Sequence, residues 1–315
     1  MSDIAARKKQ EQLQDEVSSH LNRIKPVTNI VFNIILLLFA LICIVPVIFV
    51  FIISISSEKS LAQIGYSFIP KSFSSSAYKF LWNERGTILH ALWISVFVTA
   101  LGTTIGVALT TTMGYVLSRP VYKLKGFFTW VVFIPMIFNG GMFSSYVINT
   151  NVLHLNDTIW ALVLPLCVSS FNIIICKTFF RTTIPDSIIE SAKIDGATQM
   201  SIFTRIVLPI SKPVLATIAL FLAFAYWNDW FQSSLYITSN KLISLQALLN
   251  NMMMNIQYLA NNPSAGLSLQ EYKRNMPSES VRMAIAVVIV IPIASAYPFF
   301  QKYFISGLTI GAVKG

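Results

Sequence analysis

The chain has 315 residues, of which 55% are hydrophobic and only 11% are Asp, Glu, Lys or Arg, against about 25% charged in a typical soluble domain. So few charges cannot cover the surface of a water-soluble body of this size, which excludes an ordinary soluble protein and points to lipid as the missing solvent. The net charge of +10 reflects a shortage of acids, 13 against 23 bases; the bases sit in short segments between apolar runs instead of a stripe, which argues against nucleic acid as a partner.

The opening segment, 1–29, is polar, carries Arg7, Lys8, Lys9, Arg23 and Lys25, and contains a short amphipathic stretch before Pro26. The run from Ile30 to Ile53 exceeds a signal-peptide core of about 7–15 residues and has no small-residue cleavage site beyond it, so an uncleaved first span is expected. Further apolar runs lie near 89–117, 127–148, 158–178, 207–230 and 282–304. Each is long enough to cross a hydrocarbon core of about 30 Å as a helix, and each is continuous where a barrel strand would alternate. The expected fold is therefore all-α: a six-span domain over 30–304, followed by a tail over 305–315.

With the N-terminus inside, 15 of the 23 bases fall in the inner segments, so both termini are expected in the cytoplasm. The two long outer segments, 55–88 and 231–281, retain apolar and aromatic residues and are expected to be partly folded. Within the second, SLQALLNNMMMNIQYLA at 244–260 is predicted to be a helix ending at NNPSAG. Met252, Met253 and Met254 fit either an adaptable contact surface or simple packing against the span tops. Cys43, Cys167 and Cys176 lie in or at the ends of apolar runs, and His20, His90 and His154 are dispersed; neither set has metal-ligand or disulfide spacing, so no metal is expected.

The longest inner connection, 178–208, is neither lipid-facing nor low in complexity. Pro185 suits a first helical position, Asp186 places negative charge in the first turn, and Ile188, Ile189 and Ala192 form an apolar strip. Gly196 suits a helix end, and a second helix from Thr198 to Ile206 leads to Pro209. The element is predicted to be a helix-turn-helix beside the membrane, either a knob for a cytoplasmic socket or an interfacial anchor. Elsewhere, Asn139, Tyr226, Trp227, Asn228, Asp229 and Trp230 are polar or aromatic groups inside apolar runs. They suit sugar binding, by stacking and amide hydrogen bonds, and equally an aromatic belt at the membrane interface.

The 178–208 element resembles the EAA loop of the inner-membrane permease subunits of ATP-binding-cassette importers, in the carbohydrate-uptake group that includes the maltose permease proteins. The motif stands here as Glu190, Ser191, Ala192, Gly196, Ile206, Leu208 and Pro209, with Ile184-Pro185 before it and Asp195-Gly196-Ala197 inside it. Ser191 stands where the family has Ala, a small-for-small departure. Tyr115 to Arg119, Trp227-Asn228-Asp229 and the ending around Gly307 and Gly311 to Gly315 extend the resemblance over nearly the whole chain, towards permeases for polysaccharides or complex oligosaccharides in Gram-positive bacteria.

The resemblance implies that Ile184, Pro185, Glu190, Ser191, Ala192, Asp195, Gly196 and Ala197 belong to a coupling helix that enters a cleft of an ATPase subunit. It also implies the partners: a second permease subunit, two copies of a cytoplasmic ATP-binding subunit that hold ATP and Mg, an outer solute-binding lipoprotein docking on 55–88 and 231–281, and a saccharide cargo. No cofactor is expected on this chain, which has no G-x-x-x-x-G-K-[ST] loop and is not expected to be an enzyme. The alternatives are the same importer carrying a non-sugar solute, or a non-transport membrane scaffold.

Overall fold

A computed structural model describes residues 26–261 and 278–312, so the polar opening to residue 25, most of the NNPSAG stop and Val313 to Gly315 lie outside the described residues. All named elements among those residues are helical, and one isolated antiparallel bridge joins Ser56 to Phe73. The described residues begin with α1 (Pro26–Ser54), then two short helices, α2 (Glu58–Ile64) and α3 (Ser76–Asn83), and the 34-residue α4 (Arg85–Ser118). After α4 come α5 (Lys125–Ile137), α6 (Gly141–Val147) with a π-helical turn at Ile148–Val152, α7 (Ile159–Cys167) and α8 (Ser170–Thr183). The rest comprises α9 (Asp186–Ile194), α10 (Gln199–Ile210), α11 (Lys212–Trp227), α12 (Phe231–Tyr236), α13 (Leu245–Asn261) and α14 (Ser278–Ala312).

Among the described residues, α1 and α4 are individually long and apolar enough to cross a membrane; counting the bent pairs α7–α8 and α10–α11 as single spans makes four. The remaining expected runs are shaped differently. The run at 127–148 is broken after 13 helical residues, where Pro135 sits in α5 and Phe138 is extended before Gly140 and Gly141. The run at 282–304 lies within the 35-residue α14, which contains Pro292 and Pro298. The bend of 49° between α7 and α8 falls at Val168 and Ser169, both extended, after Pro165 has removed one backbone donor. The sharper bend of 82° between α10 and α11 falls at Ser211, between Pro209 and Pro213; the latter suits a helix start because its missing N–H is unused there.

Helix α4 is the hub, packing against α7, α8, α11 and α13. Its close contacts occur at residues without side chains. A Cβ on Gly102 would clash with the Tyr226 ring, one on Gly106 would meet the Cys167 carbonyl oxygen at 2.6 Å, and one on Gly114 would meet the Cys176 Cβ at 2.6 Å. Tyr226, buried against Gly102, donates its hydroxyl to the Val163 carbonyl of α7 at 2.6 Å. Without a strong hydrophobic force between helices in lipid, such close packing and interhelical hydrogen bonding hold a bundle together. The main core follows from it: Ile94, Val98 and Tyr115 of α4, Leu162 and Val163 of α7, Phe180 of α8, Ile189 of α9, Ile202 of α10 and Ile218 and Leu222 of α11 form one continuous cluster.

A second cluster packs Ala77 and Leu81 of α3 and Ala91 of α4 with Leu245 and Leu249 of α13 and Val281 and Ile285 of α14. The 55–83 segment is therefore folded: Glu58 Oε1 accepts from the Glu279 and Ser280 N–H groups at 3.0 and 2.9 Å, satisfying first-turn donors of α14 from a remote element. Ser95 Oγ of α4 similarly accepts from Leu245 N, at 2.8 Å, where α13 starts.

At Gly106 the obstructing atom is backbone and cannot rotate away. Gly106→Val is expected to cost about 1–3 kcal/mol by overpacking and to lower the melting temperature in detergent. Gly86→Ala, where nothing lies within 4 Å of the added Cβ, is expected to leave it unchanged.

Candidate functional site

Helix α8 ends at Thr183, and the buried, extended Ile184 leads into Pro185, whose φ of −60° and ψ of 142° set up the start of α9. Asp186 in the first turn and Lys193 in the last match the helix dipole at both ends. Ile189 and Ala192 enter the main core, while Glu190, Ser191 and Lys193 are exposed, together with Ile188 and Ile194, the latter 86% exposed. The helix stops at Gly196, which has φ +80°, a left-handed conformation that costs a side-chain-bearing residue energy. Its N–H donates to the Lys193 carbonyl at 3.0 Å, the Ala197 N–H donates to the Ala192 carbonyl at 2.9 Å, and Thr198 Oγ1 accepts from Ser201 N to start α10.

Of the eight residues singled out in this element, Ile184 and Ala192 are buried and Ala197 is half-buried against the same cluster. Pro185, Glu190, Ser191, Asp195 and Gly196 are exposed. The element is a two-faced knob, keyed into the core on one side and open on the other. A cleft of about 440 Å³ separates it from the end of α4 and is lined by Tyr115, Arg119, Tyr122, Asp186, Glu190 and Lys193 among others. Arg119 was not singled out for this element by sequence. Its Nη1 donates to Asp186 Oδ1 at 2.8 Å and its Nη2 to the Phe180 carbonyl at 2.9 Å. A basic residue closing an apolar run reads as a topology signal; nothing in the linear order shows that its partners lie more than 60 residues away.

The opposite end of the bundle holds a cavity of about 460 Å³, lined by Asn139, Ser145, Asn149, Phe231, Gln232 and Tyr236 among others. Among the described residues, no ionisable side chain other than the Tyr236 phenol lines it. Asn139 Oδ1 accepts from Gly141 N at 2.8 Å, Asn149 Nδ2 donates to Tyr236 Oη at 2.9 Å, and the Tyr236 ring stacks on Tyr146 with centroids 5.9 Å apart. Of the six sequence candidates for this role, Asn139 alone lines the cavity. Tyr226 is buried in the α4 notch, and Trp227 packs against the second cluster. Asn228 is exposed and donates to the Phe224 carbonyl of its own helix at 2.9 Å. Asp229 Oδ1 accepts from Gln232 N at 3.2 Å, and Trp230, 46% exposed, meets Phe231 edge to face. Asn149, Gln232 and Tyr236 lie in a π-helical turn and a six-residue helix, elements too short for the hydropathy pattern to resolve. No group of three or more His, Cys, Asp or Glu is placed to hold a metal among the described residues.

Beside the cavity, Asp157 ties the α6–α7 connection to the segment after α12. Its Oδ1 accepts from the Thr238 and Ser239 N–H groups, each at 2.9 Å, and its Oδ2 accepts from the Thr238 hydroxyl. The Thr238 hydroxyl, and after it the Ser239 N–H, hold the Asp157 carboxyl below the usual carboxylate range.

Comparison with known proteins gives this architecture a family. Residues 121–310 match the family of the binding-protein-dependent transport system inner membrane component. Protein LplC of Bacillus subtilis is 38% identical over 274 residues, covering 87% of this chain and 90% of its own. The polygalacturonan/rhamnogalacturonan transport system permease protein YtcP of the same organism is 37% identical over 280 residues, covering 89% and 96%. Among solved structures, a chain from a bacterial ABC transporter involved in the import of the acidic polysaccharide alginate superposes with a TM-score of 0.74 at 28% identity, covering 88% of this chain and 96% of that one. The chain belongs to the binding-protein-dependent transport system inner membrane component family. It is a membrane permease component of an ATP-binding-cassette importer.

A carboxyl whose folded pKa is depressed contributes stability above its unfolded value, and loses that contribution as pH falls through the folded value. The stability difference between wild type and Asp157→Asn is therefore expected to be full at neutral pH and to shrink below about pH 4. Thermal unfolding followed by tryptophan fluorescence across that range checks it.

Proposed function

We infer that this permease component forms half of the translocation path for an oligosaccharide or polysaccharide fragment. The observation that carries the transport role is the two-faced α9: Ile189 and Ala192 are built into a core continuous with α4 and α11, while Glu190 and Ile194 are exposed among the described residues. Such a helix suits docking into a cleft of a cytoplasmic ATP-binding subunit, with Ile184 and Pro185 directing it, Glu190 making a polar contact, and Ser191, Ala192, Asp195, Gly196 and Ala197 allowing close approach. ATP and Mg would be held by two copies of that subunit; this chain's part is to convert their closure into an alternating-access movement.

In this reading the chain crosses the membrane six times within 30–304, with 1–29 and 305–315 in the cytoplasm of a Gram-positive bacterium. The bent pairs α7–α8 and α10–α11 each count as one span, and α5 with α6 forms another around a break. A second permease subunit completes the path, and an outer solute-binding lipoprotein docks on 55–88 and 231–281. The saccharide class is supported by the names of the relatives, which include a polygalacturonan/rhamnogalacturonan permease and a component of an alginate importer. It is also supported by the cavity of Asn139, Ser145, Asn149, Gln232 and Tyr236, a set of amides and hydroxyls beside aromatic rings that suits sugar hydroxyls and faces. Asn228, Asp229 and Trp230 lie at the adjoining end of α11 and belong to the same proposed path.

Gly196→Leu tests the docking role. A left-handed backbone costs a non-glycine residue about 1–2 kcal/mol, enough to re-aim the end of α9, while the core packing is untouched because nothing lies within 4 Å of the added Cβ. The expected result is about a tenfold or larger loss of ATP-binding subunit copurifying with the permease pair, with a matching loss of uptake. Normal copurification and uptake would sink the docking role. Cargo is tested separately by screening the cognate solute-binding protein against defined glycans; exclusive binding of a non-sugar would overturn the saccharide assignment.

A further inference from the structure

The geometry points to Arg119 as the positioning residue that makes α9 and α4 move as one body. The inference rests on the reading of α9 as the helix that meets the ATPase, and it assigns a role to a residue outside the EAA element.

Arg119 closes α4 and leaves it in an extended conformation, φ −83° and ψ 131°. Each bonding nitrogen of its guanidinium then goes to a different element. Nε donates to Ser118 Oγ at 2.9 Å within α4 itself, Nη2 to the Phe180 carbonyl in the last turns of α8, and Nη1 to Asp186 Oδ1 in the first turn of α9. The guanidinium carbon lies 5.4 Å from the centroid of the Tyr115 ring, which packs edge-on against Phe180 and, at 5.1 Å, against Phe203 of α10. The four elements α4, α8, α9 and α10 thus converge on one Arg–Tyr pair.

Fold stability does not account for this arrangement. The Asp186 side chain is 60% exposed, and an ion pair with so wet a partner contributes little to stability. The bond from Nη1 to Asp186 instead fixes direction. Ile184 and Pro185 form a two-residue extended link between α8 and α9; the apolar contacts of Ile184, Ile189 and Ala192 seat α9 on the core, but they are non-directional, and the aim of its first turn is set by the bond to Asp186. Arg119 holds that turn while its other arm grips the end of α8. A planar fork does both at once, whereas a lysine ammonium is a single point on a flexible stem.

What α4 receives at Arg119 it can deliver elsewhere, because its glycines key it to the rest of the bundle. Gly106 abuts the Cys167 carbonyl at the α7–α8 break and Leu222 of α11, and Gly102 abuts Tyr226, shortly before the segment that leads into the cavity at Phe231 and Gln232. A displacement of α9 pinned to α4 therefore reaches the cavity walls through contacts that have no slack. Without the pin, only the non-directional apolar contacts of Ile184, Ile189 and Ala192 tie α9 to the bundle, and a tilt of its first turn is passed to α4 incompletely.

The test uses the assembled complex of both permease subunits with the ATP-binding subunits, in lipid nanodiscs. Spin labels at Lys123 and Ser187, exposed positions beside the end of α4 and in α9, measure whether the two move together. A Ser145→Cys reporter in the cavity is labelled with a membrane-impermeant maleimide in ATP and in ADP. In wild type the spin distance should be the same in both nucleotides while labelling differs. In Arg119→Ala and Arg119→Lys the distance should shift or broaden by about 2 Å or more with ATP. The labelling ratio should then fall towards one while ATP hydrolysis continues. Asp186→Ala leaves the bonds of Arg119 to Phe180 and Ser118 in place, so it spares the fold and should give the same uncoupling. An assembled Arg119→Ala or Asp186→Ala complex that keeps the wild-type distance, or that keeps the labelling response, overturns the pin. A wild-type complex whose labelling ignores nucleotide overturns the transport reading itself.

Discussion

The packing of this protein depends on how closely other chain segments can approach α4. At Gly102, Gly106 and Gly114 the neighbours are an aromatic ring, a backbone carbonyl and the Cβ and backbone of another helix, all within the space a methyl group would occupy. Lipid is as apolar as a leucine side chain, so burial gives helices little reason to associate in a membrane; close van der Waals contact and shared hydrogen bonds supply the reason instead. The Tyr226 hydroxyl donating to the Val163 carbonyl is one such bond, and it forms because Gly102 lets the ring in. Once α7, α8 and α11 are seated on α4, the main core runs unbroken from Ile94 to the buried face of α9.

That continuity gives the helix-turn-helix its character. Helix α9 has nine residues, too few to be stable alone, and its local signals do no more than start and stop it. It holds its place because Ile184, Ile189 and Ala192 are core residues of the bundle, and because Arg119 fastens its first turn. The opposite end follows the same logic with different chemistry. There α14 and α13 begin on side-chain oxygens contributed by Glu58 and Ser95, which satisfy backbone donors that a helix start leaves free. The segments between helices are thereby part of the fold.

The legibility of the chain was uneven, for physical reasons. Pro185, Asp186, Gly196 and Thr198 act within a few residues of themselves, so the start of α9, its left-handed stop and the cap of α10 could be read in order along the sequence. The helix anticipated at 244–260 forms at Leu245–Asn261 for a similar reason, a local amphipathic pattern. Hydropathy was a poorer guide to geometry. It presented 127–148, 158–178 and 207–230 as uninterrupted runs, yet the first is broken around Phe138, the second bends at Val168 and Ser169, and the third starts with a near right angle at Ser211. An apolar average is blind to such breaks because prolines and glycines inside a run lower it only slightly. The tract from Tyr226 to Trp230 shows the same limit: five adjacent residues fall into a glycine notch, a second core, an exposed helix end, a cap and an exposed ring contact.

Sequence by itself determined the solvent, the helical class, the family and the start and stop of α9, because each depends on composition or on residues near one another in the chain. Tertiary structure alone decided that Arg119 reaches Phe180 and Asp186, that Asn139 shares a cavity with Asn149, Gln232 and Tyr236, and that Tyr226 is a packing residue of α4. These contacts join residues from about 10 to more than 120 positions apart. They exist only after glycine notches and proline bends have set how closely, and at what angle, the helices meet.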